Sequence, residues 1–259
     1  MEQRLRIEDL HIGYRTGGNT HTVIPNLSFE VESGTLISII GRNGSGKTTL
    51  LQSIAQLLAV LQGKIYWNDT DLKPLSTQAK AKLISYVGQI PNIPPHLKLQ
   101  DLLALSRNPY TNWLGNLEQS DRSQIQNVAD RLDLIPWLDR PLVELSAGQK
   151  QRCLIAAALV QDTPILLLDE PSAFLDIDHK ASIFKLLQEI ANKHNKIVML
   201  STHDLNPALQ ISDKILLLDR GQGTFGSVQE LVRQKIFENI FHQKWVGFDP
   251  DLMQFSICV

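Results

Sequence analysis

Short apolar runs and helical patterns alternate along most of this chain, and together they predict an α/β fold. The runs, which we interpret as strands, lie at residues 36–40, 83–87, 165–168, 197–201 and 215–218. Helical patterns lie at residues 49–58, 178–193 and 206–211. The run at 165–168 is continuously apolar, as in parallel strands whose two faces are both covered. Alternating strands and helices indicate an α/β sheet.

The first part of the chain has a different, strand-rich pattern. Residues 4–10 and 24–31 have strand patterns on either side of a polar stretch, residues 15–22, which we interpret as a hairpin-like loop. A further strand pair is predicted around residues 63–67, with a turn at Asn68-Asp69.

A second departure from the alternating strand and helix pattern begins with a proline-rich loop near residue 91. From there, apolar residues recur at three- to four-residue spacing, which predicts a mainly helical insertion over roughly residues 90–160. The tail, residues 228–259, mixes helical and other pieces and is too short for a further domain. We therefore expect residues 1–259 to form one domain with a helical part.

Composition excludes several classes of protein. The chain has 259 residues, 43% of them hydrophobic and 20% charged, which is ordinary for a globular domain. The net charge of −2 gives no reason to expect nucleic-acid binding. No apolar run approaches the roughly 18 residues of a membrane span, and the charged first ten residues lack the apolar centre of a secretory leader. Cys153 and Cys258 have neither metal-binding nor redox spacing, and we expect them to be buried or incidental.

The loop after the strand at 36–40 fits the phosphate-binding pattern G-x-x-x-x-G-K-[ST]. It reads Gly41-Arg42-Asn43-Gly44-Ser45-Gly46-Lys47-Thr48. Its glycines let the backbone curl so that successive N–H groups point at one anion, and the helix that follows adds its positive N-terminal end. Lys47 would bring a charge to the β- and γ-phosphates, and Thr48 a hydroxyl to magnesium. The strand–loop–helix context favours a nucleotide site over an ordinary glycine-rich turn.

Asp169 and Glu170 end another predicted strand of the same sheet. In open α/β sheets, ligands bind outside the carboxyl ends of the strands, where the phosphate loop also lies. Asp169 is therefore placed to hold magnesium, and Glu170 to orient or deprotonate an attacking water. The alternative is a polar strand end that only terminates the sheet.

Four further residues are ambiguous when each is considered alone. His203 follows a strand and could contact the γ-phosphate or be structural, and Gln89 could bind magnesium or simply end its strand. Tyr14 could stack on a base or pack in the fold. Ser146 is a good N-cap. The helix start that follows it either has no further role or forms a second phosphate-binding surface. Two chains facing head to tail could bring that surface to the nucleotide of the other chain.

Together these stretches resemble the nucleotide-binding subunit of ATP-binding cassette (ABC) transporters, from Tyr14 to about Gly221. The motifs follow the order of that family: the phosphate loop at 41–48, the lid glutamine Gln89, the signature at 145–149, the Walker B strand at 165–170, the D-loop at 172–176 and the switch histidine His203. The resemblance implies a P-loop NTPase cassette with a RecA-like parallel-sheet core, an antiparallel β subdomain and a helical subdomain.

The resemblance also implies ATP and a magnesium ion as cofactors. The residues that it implies for ATP binding are Tyr14, Gly41, Asn43, Gly44, Ser45, Gly46, Lys47, Thr48, Thr49, Ser146, Gly148, Gln149 and Asp176. Those that it implies for catalysis are Glu170, His203, Gln89 and Lys47. Those that it implies for magnesium are Thr48, Gln89 and Asp169.

The implied assembly is a head-to-tail homodimer that holds two ATP molecules between its subunits. Ser146 and Gly148 of one chain would complete the site of the other, and Asp176 would shape that site across the interface. The dimer would dock on a transmembrane permease with an external substrate-binding protein, at the cytoplasmic face of the membrane. The helical insertion near residues 91–110 would carry the motion of the dimer to the permease.

A finer resemblance points to the importers of ferric siderophores, haem and cobalamin. It rests on Ala-Leu-Ser-Arg-Asn-Pro-Tyr at residues 104–110, Trp-Leu-Gly at 113–115 and Ala-Phe-Leu-Asp at 173–176. Ser106 and Asn108 depart from the usual glycine and aromatic residue of that group. Ala147 replaces the second-position glycine of the usual signature, but Ser146 and Gly148 remain, so we expect activity to survive.

Three alternatives stay open from sequence. The chain could serve another ABC transporter with different cargo. It could be a soluble ABC ATPase of the repair or translation type, although there is no room for a long coiled coil between Lys47 and Asp169, and only one cassette is present. It could also be a scaffold that binds ATP without hydrolysing it, against which Glu170 and His203 both argue.

Overall fold

The fold is described by a computed structural model that covers residues 3–88, 93–111, 115–173, 175–240 and 246–257. Its strands are β1 (Arg4–Thr16), β2 (Asn19–Glu32), β3 (Leu36–Gly41), β4 (Gln62–Trp67), β5 (Thr70–Asp71), β6 (Ile84–Val87), β7 (Ile165–Asp169), β8 (Ile197–Ser201), β9 (Lys214–Asp219), β10 (Gln222–Ser227), β11 (Val246–Asp249) and β12 (Gln254–Ile257). Its α-helices are α1 (Lys47–Ile54), α2 (Thr77–Ala81), α3 (Leu99–Leu105), α4 (Gln119–Arg131), α5 (Ala147–Gln161), α6 (Ile177–His194), α7 (Leu205–Ile211), α8 (Val228–Arg233) and α9 (Ile236–Ile240). Short 3-10 turns lie at Ile135–Trp137 and Leu142–Glu144.

The central sheet has six strands in the order β10-β9-β3-β8-β7-β6. The pairs β9–β3, β3–β8, β8–β7 and β7–β6 are parallel, and β10 closes one edge in antiparallel orientation. All five predicted strands of this sheet are confirmed. Because the phosphate loop follows β3 and Asp169 ends β7, both lie at the carboxyl edge of the sheet, with only β8 between the two strands.

Both faces of the central sheet are covered, which explains the continuous apolar run in β7. Leu166 and Leu168 belong to a core cluster shared with α3 to α6, whereas Ile165 and Leu167 face a second cluster shared with α1 and the antiparallel sheet. Successive side chains of a strand point to opposite faces, so each of the four apolar residues of β7, 165–168, packs against apolar partners on one side or the other. β8 follows the same rule.

The second sheet is antiparallel, in the order β2-β1-β4-β5. The hairpin predicted at residues 15–22 is confirmed, but the predicted loop was too long, because β1 and β2 continue as a ladder to the pair Thr16↔Asn19. Gly17 and Gly18, with φ of 56° and 86°, supply the positive φ values of a two-residue turn. The paired residues between the turn and Ile24 are mostly polar and exposed, so this segment resembles a loop in sequence although its backbone is a strand.

Two further differences have local causes. Helix α1 ends at Ile54 and not at residue 58, because Gln56 adopts a left-handed φ of 59° and the Leu57 amide donates back to the Gln52 carbonyl at 2.9 Å. Strand β10 was not predicted, because its glycines interrupt the apolar pattern. The ring of Phe225 in β10 nevertheless stacks on Phe29 of the antiparallel sheet at 4.7 Å and joins the two sheets.

The tail packs back on the end of the central sheet. Phe237, Phe248 and Phe255 form an aromatic cluster, and this cluster lies against a core group that includes residues of β9 and α7. The Asn206 side chain in α7 donates to the Phe255 carbonyl at 3.1 Å and accepts from the Phe255 amide at 2.8 Å. The part of the chain described here contains no helix that is long and apolar enough to cross a membrane.

Candidate nucleotide-binding site

The phosphate loop joins β3 to α1 through residues that need glycine. Gly44 and Gly46 have φ of 77° and 99°, values that residues with a side chain rarely adopt. At Gly46, a Cβ atom would also lie only 2.7 Å from the Val23 Cγ1 atom. Gly46 is the N-cap of α1 and makes no side-chain cap, so the first N–H groups of the helix remain available to an anion.

Lys47 lies inside the curl of this loop and is only 6% exposed. Its Nζ donates to the carbonyls of Gly41 at 2.9 Å and Arg42 at 3.2 Å. Burial lowers the pKa of Lys47, and the nearby carboxylates of Glu170 and Asp169 oppose that shift. The ammonium is thus held at the loop by two carbonyls, near two carboxylates.

Asp169 and Thr48 meet across the carboxyl edge of the sheet. The Thr48 Oγ1 donates to the Asp169 Oδ2 at 2.8 Å, and Asp169 is almost fully buried. A hydroxyl and a carboxylate oxygen at this separation form the hard-oxygen donor pair that Mg²⁺ prefers. The two predicted magnesium ligands that the structure describes are therefore together. The third, Gln89, lies outside the described residues.

Glu170 and His203 form the other polar pair of the site. The His203 Nε2 lies 2.6 Å from the Glu170 Oε1, and both side chains are partly exposed. Glu170 has a left-handed φ of 54°, which is uncommon for a residue with a side chain. Both residues were correctly predicted to follow strand ends, and in the structure they are in direct contact.

The signature residues form a second helix start. Ser146 caps α5 in a capping box: its Oγ accepts from the Gln149 amide at 3.3 Å, and the Gln149 Oε1 accepts from the Ser146 amide at 2.9 Å. Ser146 and Gln149 bond to each other, and not to Lys47 or Thr48, in the part of the chain that the structure describes. A Cβ atom on Gly148 would lie 3.0 Å from the Leu175 Cδ2 atom.

Asp176 begins α6 in a similar way. Its carboxylate accepts from the His179 amide at 3.0 Å and lies 2.7 Å from the His179 Nδ1 atom. Hydrogen bonding from the His179 amide, and then from its ring, lowers the pKa of Asp176. The carboxylate is exposed, so it faces outward from the chain beside Leu175.

Tyr14 is linked to the phosphate-loop helix. Its hydroxyl lies 2.7 Å from the Thr49 Oγ1, and 42% of Tyr14 is exposed. The contact positions the ring beside the first turn of α1, with part of its surface open. Stacking of this ring on a base stays a prediction.

Sequence reasoning missed Ser201, the last residue of β8. Its hydroxyl donates to the Asp169 Oδ1 at 2.6 Å and accepts from the Glu170 amide at 2.9 Å. The only signal in the sequence was a polar residue at the end of an apolar strand, which does not reveal a partner.

Cys153 is predicted to be unreactive in the folded protein. It is fully buried in α5, and burial raises the pKa of its thiol to about 12. At pH 8 only about one molecule in 10⁴ would carry a thiolate, and a thiolate is what reacts with disulfide reagents. A Cys258→Ser variant, in which Cys153 is the remaining cysteine, should release no chromophore from such a reagent until denaturant is added. Rapid labelling of the native variant would contradict the prediction.

Comparisons with known proteins agree with this site. The family model described as ABC transporter matches residues 24–173. The achromobactin transport ATP-binding protein CbrD of Dickeya dadantii (strain 3937) is 34% identical over 90% of this chain and 86% of its own length. The petrobactin import ATP-binding protein FpuD of Bacillus anthracis is 31% identical over 100% of this chain and 94% of its own.

Solved structures give the same result. A transporter described as of metal-chelate type, in an inward-facing conformation, superimposes with a TM-score of 0.80 at 25% identity, covering 98% of this chain and 95% of its own. The dimeric ATP-binding cassette MJ0796 bound to ADP and Pi gives a TM-score of 0.76 at 25% identity, covering 86% and 98%. The chain belongs to the ABC transporter family. It is an ABC-type ATPase, the nucleotide that it binds is ATP, and the predicted fold class is confirmed.

Proposed function

We propose that this chain is the ATP-hydrolysing subunit of an importer of ferric siderophores or of the related haem and cobalamin type. The observation that carries the proposal is the cluster at one sheet edge, in which Thr48 donates to Asp169 and His203 contacts Glu170, with Lys47 near both carboxylates. The names of the relatives supply the cargo: achromobactin and petrobactin import, and iron(3+)-hydroxamate import by FhuC of Bacillus subtilis (strain 168), 31% identical over 92% of this chain.

Each residue of the cluster has a role in the proposed reaction. Lys47 and the N–H groups of the phosphate loop balance the charge of the β- and γ-phosphates. Glu170 accepts a hydrogen bond, and then the proton, from the water that attacks the γ-phosphorus. His203, in contact with Glu170, orients that carboxylate and reaches the γ-phosphate. The group that leaves is ADP.

The donor set of Thr48 and Asp169 fits a magnesium ion, with Gln89 as a further ligand in the proposal. When bound, the ion neutralises charge on the phosphates. Thr48 and Asp169 hold their oxygens 2.8 Å apart through their own hydrogen bond, so this pair is preorganised. Asp169 stays oriented because it is buried and accepts a hydrogen bond at each carboxylate oxygen.

The active form in this proposal is a head-to-tail homodimer. Ser146 at the start of α5 and Asp176 at the start of α6 bond within their own first turns. In the proposal these two residues and Gly148 serve the partner's nucleotide. Tyr14 would stack on adenine, and residues 41–49 would surround the phosphates. Dimeric cassettes among the similar structures support this arrangement.

Docking on a permease follows from the import function. In the proposal, the permease docks on the part of the helical subdomain (residues 90–160) near residues 91–110. A groove of about 360 Å³ between the central sheet and α3 and α5, lined by Tyr86, Leu102, Ser106 and Leu154, supplies a concave surface there. The subunit is then peripheral, at the cytoplasmic face of the membrane, and works with a permease and an external substrate-binding protein.

Uptake measurements test the proposed cargo. A strain that lacks this gene is expected to lose uptake of at least one radiolabelled substrate among hydroxamate and catecholate ferric chelates, haem and cobalamin. The wild-type gene should restore that uptake, whereas a Glu170→Gln gene, expressed to the same level, should not. Unchanged uptake of all four classes in the deletion strain would refute this cargo.

A further inference from the structure

Ser201 connects the two carboxylate residues at the end of β7. It pairs with Asp169 across the parallel ladder between β7 and β8, and it is fully buried. Its hydroxyl makes two short contacts, one with the Asp169 Oδ1 at 2.6 Å and one with the Glu170 amide at 2.9 Å. One side chain of a neighbouring strand therefore touches two consecutive residues of the site.

The direction of both hydrogen bonds is fixed by chemistry. An ionised carboxylate only accepts, and a backbone N–H only donates, so the single proton of the Ser201 hydroxyl goes to Asp169 and its lone pair accepts from Glu170. Thr48 donates to the other oxygen of the same carboxylate, at 2.8 Å. Asp169 is thus held at both oxygens, and its rotation is restricted from two sides.

The backbone of Glu170 needs this support. A left-handed φ is unfavourable for a residue with a side chain, and such conformations persist only where the surroundings hold them. At Glu170, with φ of 54°, the amide is bonded to Ser201, the carbonyl accepts from the Ala173 amide at 3.1 Å, and the carboxylate contacts His203. Without the Ser201 hydroxyl, the amide loses its partner.

We propose that Ser201 is a positioning residue that sets the geometry of Asp169 and of Glu170 through one hydroxyl group. The inference rests on the proposed function, in which Asp169 binds the metal ion and Glu170 activates water. Ser201 touches neither nucleotide nor water in this scheme. It links the orientation of the metal-binding carboxylate to the backbone conformation of the base, so both are lost together when the hydroxyl is removed.

The chain offers a closely matched control. Ser38 lies in β3, which neighbours β8, and it is equally buried. Its hydroxyl lies 2.7 Å from the Ser212 hydroxyl, away from the carboxylates of the site. Ser38→Ala therefore removes a buried serine hydroxyl from the same sheet without disturbing Asp169 or Glu170.

The experiment compares wild type, Ser201→Ala, Ser201→Thr and Ser38→Ala as full-length proteins. Turnover of ATP is measured with its kcat and KM, and binding of Mn²⁺ to the ADP complex is measured separately by electron paramagnetic resonance. Loss of an outer-shell partner of a metal ligand typically costs about 10–100-fold in affinity or activity. We expect Ser201→Ala to lower kcat and weaken Mn²⁺ binding within that range, with a smaller change in KM for ATP.

Ser201→Thr, which keeps the hydroxyl, should recover most of both quantities, and Ser38→Ala should match wild type in both even if its melting temperature falls. If Ser201→Ala does not fold, Ser201→Cys preserves the side-chain volume with a much weaker donor and is expected to show the same loss. If kcat and Mn²⁺ affinity were the same for Ser201→Ala as for Ser38→Ala, the inference would be overturned, whereas the assignment as an ATPase would stand. Absent turnover in wild type, with Mn²⁺ affinity still dependent on the hydroxyl, would instead contradict the proposed function alone.

Discussion

Glu170→Gln is expected to lower the ATP turnover of the purified protein by roughly 10²-fold or more, the scale of a lost general base. The amide keeps the size of the side chain and can still contact His203, which lies 2.6 Å from the carboxylate. It cannot accept the proton of the attacking water. Binding of ATP should persist, because Lys47, Thr48 and the phosphate loop are unchanged.

Steady-state phosphate release and binding of a fluorescent ATP analogue separate these two effects. Glu32→Gln, at the exposed end of β2, is a matched control that makes the same chemical change away from the site. It should have wild-type turnover. Equal turnover in Glu170→Gln and Glu32→Gln would remove Glu170 from the role of base, and joint loss of turnover and binding would indicate a folding defect.

Asp121→Ala should destabilise the protein by about 3–5 kcal/mol, the usual cost of leaving a buried charge without its partner. The Arg107 Nε donates to the Asp121 Oδ1 at 2.7 Å, and the side chains of the pair are only 11% and 4% exposed. Arg107 also donates to the Val160 carbonyl at 2.9 Å and lies over the Tyr110 ring at 4.0 Å. This network joins α4 to the end of α5, so its loss should weaken the packing between these two helices.

The control for this prediction is Asp139→Ala. Asp139 pairs with Lys98 at 3.6 Å, but its side chain is 83% exposed, and exposed pairs are worth less than about 1 kcal/mol. Urea unfolding at pH 7 should therefore separate the two variants clearly. Similar free energies of unfolding for Asp121→Ala and Asp139→Ala would contradict the importance given to the buried pair.

The same pair predicts a pH dependence. Burial alone would raise the pKa of Asp121, but hydrogen bonds from the Glu118 amide and from Arg107, together with the Arg107 charge, outweigh burial and lower that pKa below its ordinary value. The stabilisation is then fully present above the unfolded pKa of about 3.9 and is lost as pH falls through the folded pKa. The difference in the free energy of unfolding between wild type and Asp121→Ala, measured by urea unfolding, should accordingly become smaller as the pH falls through the folded pKa of Asp121.

The parts of the site that depend on local sequence could be predicted, and those that depend on strand neighbours could not. The phosphate loop needs glycines, a lysine and a threonine at fixed spacing, so its chemistry is readable from eight consecutive residues. Ser201 acts on Asp169 only because β8 lies next to β7 in the order of the sheet. Strand order is a property of the whole fold, and a serine at a strand end does not reveal it.

The fold shows the same division. Strands that are buried on both faces, such as β7, appeared as unbroken apolar runs. Strands with polar or glycine-rich sequences did not: the outer half of the β1–β2 ladder resembled a loop, and β10 was missed. Arg107 lies in a stretch that resembles the importer group, but its burial against Asp121 depends on how α4 packs, which the spacing of charged residues does not indicate.

The contact between Gly148 and Leu175 has a consequence for how this protein can evolve. The first turn of α5 and the residue before α6 share one small volume, since a methyl group on residue 148 would lie 3.0 Å from the Leu175 side chain. A larger residue at position 148 requires the end of the Leu175 side chain to move by a few tenths of an ångström. The side chain tolerated at position 148 therefore depends on the one at position 175, although 27 positions separate them in the sequence, from 148 to 175.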